Sequence, residues 1–533
     1  MVSKFISTKL FAQLYLPILI IFLAGSRWLY KSQHLFHHDS VQFALALNEF
    51  DVIKHQPHPP GYIIYVGLGK LINYLVADPN IAFITLSILA SLAGLIIVYY
   101  LANEIFGKVA GYLAGIFYVT NASVWFHGTV AEVYIVEVVL MSVVLLLLYR
   151  FWRTPKINLL LIAVAILGLL GGIRQTAEIF ILPITIYVVI SHWSLFTKYW
   201  KLISIIFLIA NLVWFIPLVY LSGGILPYFR ALSLLSVTSL WILYAFEGTD
   251  ALIKNGALLW QTIKQSAFVY LPVLFLSLLP FIAAESKARF PIIARQLWFW
   301  FWVMVPGLVL LLITLMRNPG YGLFFIIVLL LLASGAIVLI ADIGNHYHKN
   351  FGTLFAAFLV VAIISVQVYS FFNVPALSLD YISASRQSVI KVDSTLDKLL
   401  SHVENNFTPD DTIIFVNGDL VFFGVRHLQY YLPQYDIYSY RPSALAYDKE
   451  SVIWHVRGMT MSDYLAKIPV GSDIKHLVFW GSSKKFPKNE FFQELYISRG
   501  MGIGFFDTSK TEVVESLSSN EYFVNFDFEM DRI

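Results

Sequence analysis

Hydrophobic stretches of about twenty residues recur along this chain from residue 11 to about residue 372. Each is long enough to cross a hydrocarbon layer of ~30 Å as a helix. Of the 533 residues, 58% are hydrophobic and only 13% are charged, whereas about 25% of the residues in a soluble domain are charged. Because backbone polar groups inside a bilayer must bond to one another, the sequence predicts an α-helical polytopic membrane protein.

The hydrophobic pattern predicts eleven transmembrane helices, at 11–28, 82–102, 109–121, 133–150, 158–173, 176–191, 202–221, 267–283, 297–316, 322–341 and 353–372. A further apolar run at 61–77 is short, carries Lys70 and follows Pro59 and Pro60. We therefore predict a surface or half-buried helix there. The first apolar segment lacks a small-residue cleavage pattern and is predicted to remain as an anchor.

The distribution of basic residues predicts the orientation. With a cytoplasmic N-terminus and eleven spans, the inside loops receive the most basic short segments, Arg150 to Lys156, Lys198 to Lys201 and Lys287 to Arg295, as the positive-inside rule requires. Counting 61–77 as a span would place those loops outside. The extracytoplasmic side then holds the 29–81 loop, a loop near 122–132, the 222–266 loop and the C-terminal region.

The pattern changes near residue 380, which divides the chain into a membrane domain (1–380) and a C-terminal domain (381–533). Residues 383–406 have apolar positions at helical spacing. The segments "DTIIFVNG" (411–418), "KHLVFWGS" (475–482) and "YFVNFDFE" (522–529) are typical of short strands. Alternating helices and strands predict a small extracytoplasmic α/β domain.

Asp39 begins the polar part of the first outside loop, ahead of an amphipathic stretch from Val41 to Phe50. One interpretation is an N-cap of a helix lying on the membrane surface, because a carboxylate accepts hydrogen bonds from first-turn amides. The same loop carries His37, His38, His55 and His58, which raises the possibility of a metal site. Their spacing fits no closed zinc pattern.

Other charged residues lie at the outer ends of predicted spans. Glu132 is at the mouth of one span, and Glu137, about a turn deeper, is expected to pair with a buried cation because an unpaired carboxylate there is costly. Arg174 is four residues from Glu178, so an i,i+4 ion pair would explain it. Arg174 and Arg317 at one mouth would also suit an anionic phosphate.

The order of these elements resembles the GT-C superfamily of membrane glycosyltransferases. The resemblance rests on three features: Asp39 with "HQPHPPGY" (55–62), the segment "NASVWFHGTVAEVY" (121–134), and the turn "RNPGYG" (317–322) that opens a late span. The nearest resemblance is to the bacterial protein mannosyltransferase and RgtA/B/C/D-like families (glycosyltransferase family 39-like). It covers roughly residues 10–380 in architecture.

The resemblance implies an enzyme of the cell envelope that uses a polyprenyl-phosphate-linked sugar on the extracytoplasmic face. It places the catalytic base of an inverting transfer at Asp39. The common form of the loop has Asp-Glu, but Ser40 follows Asp39 here, so Glu132 is predicted to supply the second catalytic carboxylate. No nucleotide-binding phosphate loop is present, which agrees with a lipid-linked donor.

Substrate binding is expected at His58, Arg174, Arg317 and Tyr321, with either arginine neutralising the departing lipid phosphate. No cofactor is certain, and a divalent metal at Asp39 is possible. The acceptor can be a lipid, a glycan or a protein. A net charge of +3 gives no reason to expect nucleic acid.

Two other classes of protein compete with this interpretation. A transporter or flippase of lipid-linked glycans would place ionisable groups at mid-membrane and often carries inverted repeats. A scaffold or sensor would act through its C-terminal domain. The polar clusters lie in predicted outside loops and no internal repeat is evident, which favours the glycosyltransferase. Hexosyl and pentosyl transfer are equally compatible with the sequence.

Overall fold

The structure is a computed structural model that describes residues 9–238, 248–282, 290–314, 318–348, 350–376, 383–416, 422–440, 453–456, 464–465, 473–488, 490–498 and 500–513. These residues fall into two compact units. The membrane unit comprises Met1–Ser32, Pro60–Tyr220 and Leu240–Val389, and the second unit comprises Gln33–Pro59, Leu221–Ser239 and Ile390–Ile533. The first outside loop therefore folds with the C-terminal domain, a grouping that the predicted boundary at residue 380 does not include.

Helices occupy all eleven predicted spans. In chain order, the helices of the first 221 residues are α1 (Lys9–Leu29), α2 (His38–Asn48), α3 (Ile63–Val76), α4 (Pro79–Phe106), α5 (Lys108–Thr120), α6 (Ala122–His127), α7 (Tyr134–Arg153), α8 (Ile157–Ile173), α9 (Gln175–Ser191) and α10 (Trp193–Leu221). They are followed by α11 (Ile225–Thr238), α12 (Thr249–Ser266), α13 (Tyr270–Ile282), α14 (Phe290–Ile313), α15 (Leu323–Tyr347), α16 (Phe351–Asn373), α17 (Arg386–Asn406) and α18 (Val425–Tyr431).

Among the described residues, six helices are long and apolar enough to cross a membrane, at Pro79–Phe106, Tyr134–Arg153, Trp193–Leu221, Gln296–Ile313, Pro319–Tyr347 and Phe351–Asn373. Shorter apolar helices include Gln13–Leu29, Ile157–Ile173 and Gln175–Ser191. The protein is a multi-pass membrane protein, as the sequence predicts.

The ambiguous run at 61–77 forms α3, a helix of 14 residues. At ~1.5 Å per residue it is about 21 Å long, which is shorter than a bilayer core. One side packs on α4 and α8, while Leu71, Tyr74 and Leu75 are 70–90% exposed. The helix is thus half-buried, as predicted.

The second unit contains a seven-stranded sheet, made of β1 (Thr412–Val416), β2 (Asp436–Tyr440), β3 (Ile453–His455), β4 (Tyr464–Leu465), β5 (His476–Ser482), β6 (Gln493–Ser498) and β7 (Met501–Asp507). The strand order is β4-β3-β2-β1-β5-β7-β6. The central strand β1 pairs in parallel with β2 and β5, and the outer pairs are antiparallel. All five residues of β1 are buried, as expected for a parallel strand covered on both faces.

The predicted C-terminal α/β domain is confirmed in its main elements. The apolar residues at helical spacing, Val389, Val392, Leu396, Leu399 and Leu400, lie on α17 and are at most 9% exposed. The first two predicted strands are β1 and β5. The third, at 522–529, lies outside the described residues.

Candidate active site

Asp39 lies in the first turn of α2, a helix that begins at His38. His37 is the N-cap, and its Nδ1 accepts a hydrogen bond from the Asp39 amide at 3.2 Å, while the His37 amide donates to Ser40 Oγ at 3.3 Å. The interpretation of Asp39 as the N-cap is therefore wrong, because His37 fills that role and leaves the Asp39 carboxylate for other partners. An acidic group in the first turn is stabilised by the helix dipole.

Three imidazoles surround the Asp39 carboxylate. The Oδ1 atom is 2.9 Å from His38 Nε2 and 3.5 Å from His58 Nδ1, and Oδ2 is 3.4 Å from His37 Nδ1. Burial alone would raise the pKa of the Asp39 carboxyl, but the imidazoles of His38, His58 and His37 hold that pKa well below its usual range. The side chain is 22% exposed, so an ionised carboxylate remains accessible.

Gln42, one turn after Asp39 on α2, fixes the position of His58. Gln42 Oε1 accepts the His58 amide at 3.2 Å and lies 2.6 Å from His58 Nδ1. Sequence spacing alone does not show that His58 reaches Asp39, because the two meet only after the chain turns at residues 51–56, where Asp51 and Gln56 form an isolated bridge. Gln42 was missed, and its i+3 spacing from Asp39 is the signal that points to it.

Residues with the chemistry of metal ligands are present in this cluster. His37, His38 and Asp39 each offer a ligand atom, and these atoms all lie within 4.8 Å of one another. Two imidazoles and a carboxylate suit zinc or a similar divalent ion. Because His37 Nδ1 already accepts the Asp39 amide, binding through that atom would open the helix cap. His55 is not part of this group of possible ligands.

Helix α2 is not exposed along one face as an amphipathic surface helix would be. Seven of its residues are buried, and it packs on α18 in the second unit. The loop around it is tied to the C-terminal domain by several hydrogen bonds. The amides of Gln33 and His34 donate to Asp393 at 2.9 and 3.2 Å, and Arg426 Nη2 donates to the Lys54 carbonyl at 3.0 Å.

The predicted site residues of the membrane unit form a separate polar cluster. Glu132 precedes α7 and is only 2% exposed. Its Oε2 is 3.1 Å from His127 Nδ1, and its Oε1 accepts a hydrogen bond from Asn318 Nδ2 at 3.0 Å. Asn318 opens the turn Pro319–Gly322, so Glu132 links the second outside loop to this turn. His127 and Asn318 were not singled out, although both lie within the motifs that carry the resemblance.

Arg174 occupies the break between α8 and α9, and it is buried. Its Nη1 contacts both carboxylate oxygens of Glu137, at 3.2 and 3.1 Å. This confirms the expected pairing of Glu137 with a buried cation. The partner that explains Arg174 is therefore Glu137, from another helix, rather than the i,i+4 neighbour Glu178.

The guanidinium of Arg174 also lies between two aromatic rings. Its Cζ is 4.7 Å from the ring centroid of Tyr134 and 4.2 Å from that of Tyr321. Such cation–π contacts are stronger where water is excluded. Tyr321 belongs to the same turn as Asn318, so the turn is held at two points. Arg317, which precedes it, lies outside the described residues.

Comparisons with known proteins agree with this architecture. Residues 58–220 match the family described as dolichyl-phosphate-mannose-protein mannosyltransferase. The fold is similar to that of ArnT from Cupriavidus metallidurans, in the apo state (TM-score 0.53, 14% identity, 93% of this chain and 97% of that chain). The structure of ArnT bound to undecaprenyl phosphate is similar as well (TM-score 0.51, 14% identity, 94% and 99%).

This chain has the fold of the GT-C membrane glycosyltransferases, and the family match lies within that fold. No curated protein gives a significant match to the sequence. Within the GT-C architecture, the Asp39 cluster lies in the second unit, and the Glu132 and Arg174 clusters lie in the membrane unit. A single cavity that contains both Asp39 and Glu132 stays a prediction.

Proposed function

We propose that this GT-C protein transfers a sugar from a polyprenyl-phosphate donor to an acceptor hydroxyl on the extracytoplasmic face, with inversion at the anomeric carbon. The observation that carries the proposal is the partly exposed Asp39 carboxylate, whose oxygens lie 2.9–3.5 Å from the ring nitrogens of three histidines. The undecaprenyl phosphate bound to the structurally similar ArnT supports a lipid phosphate as the carrier.

In the proposed reaction the acceptor oxygen forms a bond to the anomeric carbon as the bond from that carbon to the phosphate oxygen breaks. The acceptor proton passes to Asp39, and the polyprenyl phosphate leaves as an anion. A carboxylate with a lowered pKa is a weak base towards a free hydroxyl. We therefore expect proton transfer late in the reaction, when the attacking hydroxyl has become acidic.

The three imidazoles around Asp39 keep its carboxylate charged and oriented. A divalent ion, if held by Asp39 with His37 and His38, would supply positive charge near the donor phosphate. For the leaving phosphate, Arg317 is the better candidate of the two predicted arginines, since Arg174 is buried and already paired with Glu137. Tyr321 would then position the turn that carries Arg317, and His58 would position Asp39.

The test measures release of polyprenyl phosphate from a panel of undecaprenyl-phosphate-linked sugars in membranes that contain the protein. Asp39→Asn removes the charge but keeps the shape of the side chain. Because a general base contributes ~10²–10⁴-fold, we expect at least about a 100-fold loss at unchanged expression.

The matched control is Asp78→Asn. Asp78 also lies at the start of a helix, where it accepts the Ile81 amide at 3.0 Å, and Asn caps helices about as well as Asp. Its turnover should equal that of the wild type. Near-normal release by Asp39→Asn would remove Asp39 from the mechanism. Movement of intact donor across the membrane without release would indicate a flippase instead.

A further inference from the structure

A cleft of about 290 Å³ opens in the second unit, beside the C-terminal end of α2. Its volume is near the lower limit of small-molecule pockets, ~300–1,000 Å³. Glu49 lines this cleft and follows Asp39 by ten residues. With a rise of ~1.5 Å per helical residue, the cleft is about 15 Å from Asp39 along α2. It is therefore distinct from the candidate active site.

Two glutamine amides supply hydrogen-bonding groups to the cleft. The Gln56 backbone exchanges hydrogen bonds with Asp51, at 2.7 and 2.8 Å. Gln56 lines the cleft, and the residue is only 7% exposed. Gln429 Oε1 accepts a hydrogen bond from Arg426 at 2.8 Å, which leaves its amide hydrogens for a ligand.

The charges at the cleft cancel. Glu49 and Lys54 form an ion pair of 2.5 Å at its exposed rim, so the lining has no net charge that would select a phosphate or another anion. The remaining contacts are largely apolar and come from Leu45, Pro433, Tyr435, Ile437 and Val456. The lining thus combines a few polar groups with an apolar surface, as ligand sites commonly do.

An extended peptide is a poor fit for this position. Peptides often bind by adding a strand to a free sheet edge. The strand that contributes Ile437 is β2, which is paired with β1 on one side and β3 on the other. The pairing with β3 covers Tyr438–Tyr440 and the pairing with β1 covers Asp436–Ser439, so most main-chain groups of β2 are already used in the sheet.

We infer that this cleft binds a neutral sugar residue of the acceptor. Amide groups can both donate to and accept from sugar hydroxyls, and the apolar residues suit the C–H face of a pyranose ring. The identification of this sugar with the acceptor rests on the proposed function. An acceptor glycan of several residues would extend from the cleft to place its reactive hydroxyl near Asp39.

The binding test uses the full-length protein in nanodiscs, since alkyl-glycoside detergents would compete. Methyl α-mannopyranoside and methyl α-glucopyranoside are titrated and followed by saturation-transfer NMR, with inorganic phosphate and trialanine as the other probes. We expect saturable binding of a glycoside and at least a tenfold weaker Kd in Gln56→Leu and in Gln429→Leu. Gln493→Leu, on β6 at an exposed position of the same unit, should bind like the wild type.

A second measurement separates this inference from the proposed function. Asp39→Asn should keep glycoside binding and lose transfer. Gln56→Leu should raise KM for a glycan acceptor while KM for the lipid donor stays unchanged. The inference would be overturned if the wild type bound neither glycoside, or if it bound phosphate or trialanine instead. It would also be overturned if both cleft variants bound the glycoside as tightly as the wild type. Loss of fold in Gln56→Leu, seen by thermal unfolding, leaves Gln429→Leu as the deciding variant.

Discussion

Glu132 shows what a single buried carboxylate does for its surroundings. Its two oxygens contact His127 and Asn318. Because Glu132 is only 2% exposed, solvent cannot readily take over these hydrogen bonds. Its predicted catalytic role stays a prediction, but these contacts also give it a positioning role for the turn at Pro319–Gly322. The two roles lead to different results when the side chain is shortened and when only its charge is removed.

We expect Glu132→Ala to destabilise the protein by a few kcal/mol. Without the carboxylate, the Asn318 amide and the His127 imidazole lose this hydrogen-bond partner. Each unsatisfied buried group lowers the free energy of unfolding by about 1–3 kcal/mol. Glu132→Gln should cost less, since its amide oxygen can accept from Asn318 and its amide nitrogen can donate to His127 Nδ1. Thermal unfolding in detergent compares the two. A positioning role predicts partial activity in Glu132→Gln, whereas complete loss at wild-type stability would support direct catalysis.

His427 makes the stability of the second unit depend on pH. It is fully buried, its Nε2 contacts the Leu35 carbonyl at 3.1 Å, and burial lowers its pKa to about 3. The unfolded chain has an ordinary histidine pKa near ~6.5, so between these values the unfolded state binds more protons. Stability contributed by neutral His427 is therefore present above pH ~6.5 and is lost as the pH falls towards 3.

We expect the unfolding temperature of the wild type to fall on acidification below pH ~6.5, with a contribution from His427 of up to about 1.4 kcal/mol per pH unit. His427→Phe cannot be protonated, and its acid dependence should be shallower. His34, His37 and His38 lie near this group and remain in both proteins. His402→Asn, at a partly exposed site on α17, should behave like the wild type. An identical slope in His427→Phe would contradict the assignment.

At the scale of elements, the turn Pro319–Gly322 depends on close approach between backbone and ring. Gly320 packs directly on Tyr134, and a Cβ at this position would overlap that ring. Tyr134 is itself held by the Arg174 guanidinium, so it cannot move freely.

Gly320→Ala should destabilise the protein by ~1–3 kcal/mol, as overpacking commonly does, and should lower transfer by displacing the turn. Gly256→Ala is the matched control on α12, where no atom lies within 4 Å of the added Cβ. There, alanine should stabilise the helix by about 0.5–1 kcal/mol. Unfolding temperatures that shift in opposite directions support this account. Equal shifts would contradict it.

The same elements show how far sequence reasoning reaches. The span predicted at 353–372 is α16, Phe351–Asn373, because length and hydrophobicity are local properties of a membrane helix. Strands such as β2 and β6 were missed, since "DIYSY" and "QELYIS" are short and partly polar. The Asp39 and His38 contact follows from adjacency in sequence. The Asp39 and His58 contact depends on a folded turn and was not predictable from spacing.

At the scale of the whole molecule, the orientation in the membrane stays a prediction, and the natural absence of cysteine allows a direct test. Asn48 at the end of α2 and Ser394 on α17 are both exposed. We expect Asn48→Cys and Ser394→Cys to react with an impermeant maleimide added outside intact cells. Thr197→Cys, in a predicted inside loop, should react only after permeabilisation. Labelling of Asn48→Cys and Ser394→Cys from opposite sides would require a different number of spans before α17.

The second unit is built from three separated stretches of one chain, and this has a consequence during translation. The loop that contains Asp39 is made early. The residues that hydrogen-bond to this loop, Asp393 to Gln33 and Arg426 to Lys54, are made more than 330 residues later. At ~5–20 residues per second, that wait is on the order of tens of seconds. The nascent Asp39 loop must therefore remain incomplete until nearly all the helices have been inserted. A ribosome that stalls before residue 393 would leave an inserted protein whose Asp39 loop lacks these two partners. The order of synthesis therefore delays completion of that loop until the membrane domain has been made.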